Sequence, residues 1–295
     1  MSFSYKRTKT IKVSVVIPIH NDPKIEESIN HIKSRRYKVE IIVVLNAPDS
    51  KTLELLDKIS MHNRAIKTVF TTKKSIGRAR DLGCMTAKGK FLVMMDSDCI
   101  MKNGSLDRLI GGLSNADLSK GSIKYLSTNF STRLVAKVRA SHLSASDNLY
   151  TPMLAFRKEI VKKIGGYYFS HSLQWSEDSE FAERAKNAKL TFKKIPSAIA
   201  YHEPTTIKRD MEAAFRYGFG FGTAVRRGIR YGDPVHGRGK NIIDGVKSDI
   251  FGFKERIIYI KNIFEQHGVE IGIYRVIWMT FYQLGRYFSY VSKNL

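Results

Sequence analysis

Short apolar runs alternate with helical patterns along the first hundred residues. Residues 11–19 form a β-branched run, and Ile25, Ile29 and Ile32 then fall on one helix face. The same alternation continues with predicted strands at 39–45, 66–70 and 90–95 and with predicted helices at 50–59 and 77–87. Strands that alternate with helices in this way predict a mostly parallel sheet with right-handed crossovers.

The remainder of the chain is less regular and then becomes helical. Beyond a weakly patterned stretch at 106–150, we predict helices at 157–166 and 179–188 and a short strand at 195–201. Amphipathic helical patterns follow at 246–265 and 270–291. The glycines of Gly218-Phe-Gly-Phe-Gly222 resemble a dinucleotide-binding loop only superficially, because no strand precedes them.

Composition restricts the class of protein. The chain has 295 residues, 43% of them hydrophobic, and a formal net charge of +23. No block of five or six like charges is present, so we expect no nucleic-acid partner. Two cysteines cannot form a disulfide framework, which favours a reducing, cytoplasmic location. The start of the chain lacks the apolar core of a signal peptide, and residues 276–285 are too short to span a bilayer.

Two carboxylates at spacing two follow the apolar run that ends at Met95. If the strand continued, Asp96 and Asp98 would point to the same side and could hold one hard divalent cation. A solvated turn is the alternative, because Asp-x-Asp occurs often by chance.

Three further positions carry candidate chemistry, each with a plain alternative. Glu177 and Asp178 could supply a general base, or they could form the acidic first turn of a helix. Arg80 could reach a diphosphate or be a solvated arginine, and His202 could be a metal ligand or a surface residue.

Taken in chain order, these segments resemble family 2 glycosyltransferases of the GT-A fold. The matching segments are Val15–Asn21, Ile41–Val44, Gly77–Gly83, Ala87–Asp98, Ala155–Arg157, Gly165–Tyr167, Glu177-Asp178 with Arg184, and Tyr201-His202. The resemblance covers about residues 11–205. It implies a short tail at 1–10, a GT-A catalytic domain at 11–205 and a helical C-terminal extension at 206–295.

The resemblance also implies an inverting transfer from a nucleotide-diphosphate sugar, with Mg²⁺ or Mn²⁺ as cofactor. Asp98 would hold the cation, Asp96 would lie near the ribose or the metal, and His202 would complete the metal site. Asp178 would be the general base, and Trp175 and Glu177 would bind the acceptor. The residues expected to contact the nucleotide are Pro18, Ile19, His20, Asp22, Asn46, Arg80, Asp96 and Ser97.

Some features leave the prediction open. The family often has acidic residues where this chain has Leu45-Asn46, so the nucleobase is undetermined. The acceptor is a sugar or a lipid-linked molecule, offering a hydroxyl or a phosphate. Aromatic residues beside Arg275 and Arg286 suit a helix on anionic lipid, a helix that covers the catalytic domain, or the face of a homodimer. A sugar-phosphate nucleotidyltransferase is the alternative enzyme, and a basic nucleic-acid-binding module is the alternative from another class.

Overall fold

The centre of the molecule is one eight-stranded mixed sheet. The computed structural model describes residues 12–71, 74–145, 149–229 and 253–292. Its strands are β1 (Lys12–Ile19), β2 (Lys38–Asn46), β3 (Ile66–Thr71), β4 (Phe91–Met94), β5 (Cys99–Met101), β6 (Leu118–Tyr125), β7 (Leu154–Arg157) and β8 (Phe192–His202). They lie in the order β3-β2-β1-β4-β7-β6-β8-β5.

Most strands of this sheet run in the same direction. β1 to β4 are mutually parallel; β7 is antiparallel to β4 and β6, β8 is parallel to β6, and β5 is antiparallel to β8. The carboxyl ends of β1, β2, β3, β4, β6 and β8 therefore meet at one edge. In parallel sheets ligands bind at this edge, so the sheet brings distant loops together there.

Helices cover both faces of the sheet and continue beyond it. They are α1 (Ile25–Asn30), α2 (Ser50–His62), α3 (Ile76–Thr86), α4 (Ser105–Gly111), α5 (Phe130–Ala145), α6 (Glu177–Asn187), α7 (Ile207–Arg226), α8 (Phe253–His267) and α9 (Val269–Val291). One apolar cluster lies on the α1, α2 and α4 side, and a second lies on the α3 and α6 side. This mixed, mostly parallel α/β sheet with C-terminal helices α7–α9 agrees with the GT-A fold that the sequence resemblance implies.

The predicted helix at 157–166 is wrong. The structure has strand β7 up to Arg157 and then a short 3-10 turn, Lys158–Lys162. Leu154, Ala155 and Phe156 pair with both β4 and β6, which draws this apolar run into the middle of the sheet. Of the predicted helix, Arg157 belongs to β7, and the residues that follow form only the short 3-10 turn instead of an α-helix.

Close packing of two helices explains the glycine-rich stretch of α7. A Cβ atom on Gly218 would lie 1.8 Å from the carbonyl oxygen of Tyr282 in α9. On the facing helix, a Cβ atom on Gly285 would lie 1.9 Å from the carbonyl oxygen of Phe215. The two backbones can approach only because neither glycine has a side chain, so the pattern serves helix packing and not nucleotide binding.

A buried polar cluster fixes these helices to the rest of the molecule. Asp210 of α7 is fully buried, and it accepts hydrogen bonds from Arg139 Nε at 2.7 Å and from the Tyr274 hydroxyl at 2.8 Å. Because an unpaired buried charge is costly, the carboxylate holds α5, α7 and α9 in one arrangement.

Among the described residues, no helix is both long enough and apolar enough to cross a bilayer. The predicted tail at 1–10 and the start of the predicted helix at 246–265 lie outside the described residues.

Substitution of Gly218 by alanine tests the helix packing. We expect a loss of about 1–3 kcal/mol in the free energy of unfolding, because the added methyl group meets backbone atoms that cannot move alone. Gly111→Ala is the matched control, since no atom lies within 4 Å of its added Cβ. Urea denaturation compares the two; equal midpoints for both variants would contradict this account.

Candidate active site

Asp96 and Asp98 face different partners. β4 ends at Met94, so the alternation of a strand no longer applies at these positions. Asp96 Oδ1 lies 3.1 Å from Arg80 Nη2, whereas Asp98 Oδ2 lies 3.4 Å from His202 Nε2. The strand alternation on which the expectation of one shared ligand was based is therefore absent, and the loop gives each carboxylate a different neighbour.

Asp98 and His202 form a pair that suits a divalent cation. His202 Nδ1 lies 2.9 Å from the carbonyl oxygen of Glu203, which can only accept, so Nδ1 carries a hydrogen and Nε2 is the ring nitrogen that faces Asp98. The ring of Tyr125 stacks on His202 with the ring centroids 4.7 Å apart. A carboxylate oxygen, an oriented imidazole nitrogen and a backbone acceptor behind it are the usual parts of a metal site.

Cys99 lies beside this pair but fits a hard cation poorly. Donor atoms of Asp98, Cys99 and His202 all lie within 4.8 Å of one another. Burial raises the pKa of the Cys99 thiol well above its ordinary value, which keeps the thiol protonated. Burial also raises the pKa of Asp98, while His202 acts in the opposite direction. Asp98 and His202 are thus the residues that fit Mg²⁺ or Mn²⁺.

A buried arginine links the loop after β4, which carries Asp96 and Asp98, to the start of α6. Arg80 of α3 forms ion pairs with Asp96 and with Glu177 at the start of α6. Burial by itself lowers the pKa of Arg80, yet Glu177 and Asp96 together raise it above its ordinary value. Arg80 is 7% exposed, so the structure places its guanidinium between protein carboxylates and not in an open groove.

Glu177 and Asp178 begin helix α6, and both have perturbed acidity. Burial raises the pKa of Glu177 to about 7, although Arg80 acts in the opposite direction. Burial also raises the pKa of Asp178, which accepts a hydrogen bond from its neighbour Ser179 N at 2.8 Å. Asp178 is only partly buried. A partly buried carboxylate with raised proton affinity has the properties of a general base.

Trp175 lies in the turn that precedes Glu177 and Asp178. Its φ of +69° is a left-handed conformation that a tryptophan rarely adopts, and its side chain is 39% exposed. The Arg216 guanidinium lies 4.9 Å from the centre of its ring. A Cβ atom on Gly220 would lie 2.3 Å from the carbonyl oxygen of Gln174, so α7 presses directly on this turn.

The loop after β1 is only partly available to a ligand. The side chains of Pro18 and Ile19 are buried, Ile19 within the core, so only their backbone could face a nucleotide. His20 is exposed, and Asp22 accepts a hydrogen bond from Ser97 Oγ at 2.7 Å. Asp22 and Ser97 therefore tie the loop after β1 to the loop that carries Asp96 and Asp98.

Asn46 at the end of β2 uses its side-chain oxygen within the protein. That oxygen accepts from Ser75 N at 2.9 Å and from Thr71 Oγ1 at 3.3 Å, and the residue is 7% exposed. His20 Nδ1 contacts its backbone carbonyl at 2.9 Å. Asn46 therefore connects the ends of β2 and β3 to the N-cap of α3. Its side-chain oxygen is used within the protein and does not face a ligand.

Three site residues were absent from the sequence prediction. Lys120 of β6 donates to the carbonyl of Pro152, and burial lowers the pKa of Lys120 to about 8 despite the nearby Asp96. Tyr125 ends β6 beside His202 in register, and Arg209 of α7 lies 3.2 Å from Asp98 Oδ2. The carboxyl-end rule would have found Tyr125 had β6 been recognised. Lys120 and Arg209 have no sequence signal.

Comparisons with known proteins agree on one family. The sequence model described as "Glycosyl transferase family 2" matches residues 14–165. The chain is 28% identical to Glycosyltransferase GlyG of Streptococcus pneumoniae over 131 residues, which are 39% of this chain and 44% of that protein. The chain spans about half the length of the curated relatives it matches.

Solved structures share the fold at low sequence identity. Mannosyltransferase PcManGT from Pyrobaculum calidifontis, solved with GDP-Man and Mn²⁺, has a TM-score of 0.64 at 17% identity, covering 97% of this chain and 89% of that one. S. aureus TarS 1-349 with UDP-GlcNAc has a TM-score of 0.53 at 15% identity, covering 94% and 91%.

The raised pKa of Glu177 predicts a pH dependence of stability. Its ordinary value is 4.5 and its value in the fold is about 7, so between these values the folded chain binds more protons than the unfolded chain. The contribution of this group to stability is therefore complete below pH 4.5 and is lost as pH rises through about 7. We expect Glu177→Gln to reduce the difference in Tm between pH 5 and pH 8. Glu183→Gln, on the same helix, should leave the wild-type difference; no change with Glu177→Gln would contradict the assignment.

Proposed function

The chain belongs to glycosyl transferase family 2, and we propose on this basis that it moves a sugar from a nucleotide-diphosphate donor to an acceptor, with inversion at the anomeric carbon. The observation that carries the proposal is the division of the site. A cation-binding pair, Asp98 and His202, lies on one side, and the base Asp178 lies at the start of α6. Direct displacement needs these two functions, a stabilised leaving group and a positioned base.

The acceptor is activated by Asp178. The acceptor hydroxyl transfers its proton to the Asp178 carboxylate while its oxygen attacks the anomeric carbon from the face opposite the diphosphate. The bond between that carbon and the phosphate oxygen breaks, and the nucleoside diphosphate leaves with the electron pair. An acceptor phosphate would arrive already ionised and would need Asp178 less.

Asp98 and His202 face the departing diphosphate in this proposal. When bound, Mg²⁺ or Mn²⁺ supplies positive charge that stabilises the leaving group. The Mn²⁺ in the PcManGT structure supports a metal of this kind. Ser97 and Asp22 keep the loop after β4 against the loop after β1, where His20 is exposed to the nucleotide.

Arg80 acts between the two halves of the site. Because it pairs with Asp96 and Glu177, we assign it to holding these carboxylates in place rather than to gripping the diphosphate. Its charge also lowers the pKa of Asp178 against the effect of burial, which keeps more of the base ionised.

We assign the acceptor to the side of Trp175 and Glu177. An exposed aromatic ring there offers a flat surface for a sugar.

We propose the division into a catalytic domain at 11–205 and a helical extension at 206–295, with α7 as a wall of the acceptor side. Arg216 on the Trp175 ring and Gly220 against the 174–176 turn support this role.

The exposed face of helix α9 indicates which surface the enzyme binds. Arg275 and Arg286 are 5% and 1% exposed, so they face inward and not towards lipid as expected from the sequence. The outward face of α9 is instead almost wholly apolar over about 34 Å. Its exposed apolar residues are Val269, Ile273, Val276, Ile277, Phe281, Leu284, Tyr287, Phe288 and Val291.

We propose that this α9 face lies on an anionic lipid surface, which would suit a lipid-linked acceptor. The apolar band is wider than the narrow seam of a coiled coil, and Glu270 is the one charged residue among the exposed positions of the described helix. The net charge of +23 attracts the chain to anionic lipid and repels a second copy. Exposed Arg133 and Lys137 of α5, which packs on α9, add positive charge.

Asp178→Asn tests the reaction. With UDP- and GDP-sugars and Mn²⁺, release of nucleoside diphosphate should fall about 10²- to 10⁴-fold, because the amide cannot take a proton. Donor affinity, measured by calorimetry, should stay within about 3-fold, since the substitution is isosteric. Glu183→Gln on the same helix should behave as the wild type. Full turnover in Asp178→Asn would refute the assignment of the base.

The double variant Ile277→Glu/Leu284→Glu tests the lipid surface. We expect the wild type to float with vesicles of 30% phosphatidylglycerol in phosphatidylcholine, and the variant to stay in solution because it would bury two charges in lipid. Met61→Glu, at a 78% exposed apolar residue on α2, is the control and should float. A stable dimer without lipid that the double variant abolishes would show that a second copy covers this face.

A further inference from the structure

Arg209, in the first turn of α7, contacts the carboxylate of the cation-binding pair. Its Nη2 lies 3.2 Å from Asp98 Oδ2, the same oxygen that lies 3.4 Å from His202 Nε2. Its Nη1 lies 2.6 Å from Glu203 Oε1, and the other Glu203 oxygen contacts Lys24. Arg209 thus joins the Asp98 site to a surface chain of ion pairs.

This contact meets an electrostatic need of the pair. The Asp98 side chain is mostly buried, and it shares Arg209 with the Glu203 carboxylate. A carboxylate that is largely removed from water needs positive charge near it. The Arg209 guanidinium supplies that charge, in the position where a divalent cation would also act.

We propose that Arg209 competes with the divalent cation for Asp98 and, once displaced, binds the diphosphate of the donor. The inference rests on the proposed function, because it takes Asp98 and His202 as the cation-binding pair. Two cations on one carboxylate oxygen repel each other, so binding of the metal and the Arg209–Asp98 contact oppose one another. Arg209 is a positioning residue for the metal and a binding residue for the leaving group.

The side chain of Arg209 can make this exchange. Half of it is exposed, so no packed core holds the guanidinium on Asp98. Glu203 keeps its other nitrogen at the mouth of the site when the Asp98 contact breaks. The planar guanidinium fork matches the oxygens of a diphosphate, and such charged hydrogen bonds are strong. Metal binding therefore frees the arginine at the place where the diphosphate arrives.

Mn²⁺ affinity without nucleotide tests the competition. We expect Arg209→Met to bind Mn²⁺ about 2- to 5-fold more tightly than the wild type, because the exposed ion pair that opposes the metal is gone. Electron paramagnetic resonance of free Mn²⁺ measures this without catalysis. Arg209→Lys keeps a charge and should lie nearer the wild type. Lys208→Met removes a neighbouring exposed charge and should leave the affinity unchanged.

Affinity for UDP and GDP at saturating Mn²⁺ tests whether Arg209 binds the diphosphate. Loss of the charged fork should weaken binding about 10-fold or more in Arg209→Met, with a smaller effect in Arg209→Lys. Tighter Mn²⁺ binding with unchanged affinity for both nucleotides would overturn the diphosphate role alone.

Asp98→Asn separates this inference from the proposed function. If the wild type binds Mn²⁺ and Asp98→Asn does not, the metal site stands; unchanged or weaker Mn²⁺ binding in Arg209→Met then overturns only the role of Arg209. If Asp98→Asn binds Mn²⁺ as well as the wild type, or if neither the wild type nor Arg209→Met binds it, the metal assignment fails, and the inference fails with it.

Discussion

The buried Arg80 holds the active-site region together. It lies on α3 and pairs with Asp96 in the loop after β4 and with Glu177 at the start of α6. Removal of one member would leave an uncompensated charge in a place that water hardly reaches, which is costly. The positions of the loop after β4 and of the helix that carries Asp178 therefore depend on one guanidinium.

The same arginine sets the acidity of its surroundings. Burial pushes the pKa of Glu177 and Asp178 upward, and Arg80 pulls both downward. A base needs this balance, because a carboxylate with an unperturbed pKa accepts a proton weakly and a fully buried one is not ionised. The charge of Arg80 therefore both holds the neighbouring carboxylates in place and sets their pKa values.

Helix α7 also connects the parts of the site, through contacts with the turn before Asp178 and with Asp98. Its glycines let it pack against α9, and Gly220 packs against the turn before Asp178. Its first turn carries Arg209 next to Asp98, and Asp210 anchors it to α5 and α9. A helix outside the matched family segment therefore contacts both halves of the site.

Most strands and helices of the fold followed from local patterns. β1 to β4 and the intervening helices α2 and α3 have clear periodicity, and their observed bounds lie within a few residues of the predicted ones. β6 and β7 were not predicted, because both depend on pairing with strands distant in the chain. Pairing of this kind leaves little trace in a short segment.

The sequence by itself determined the family and the identity of the charged residues at the carboxyl ends of the strands. It could not show that Asp96 and Asp98 contact different neighbours, that Arg80 lies between carboxylates, or that Arg275 and Arg286 are buried. Those outcomes depend on burial and on the direction of each side chain, which residues far apart in the chain decide together. Periodicity records which face of an element is apolar, whereas only the tertiary structure decides which charge meets which.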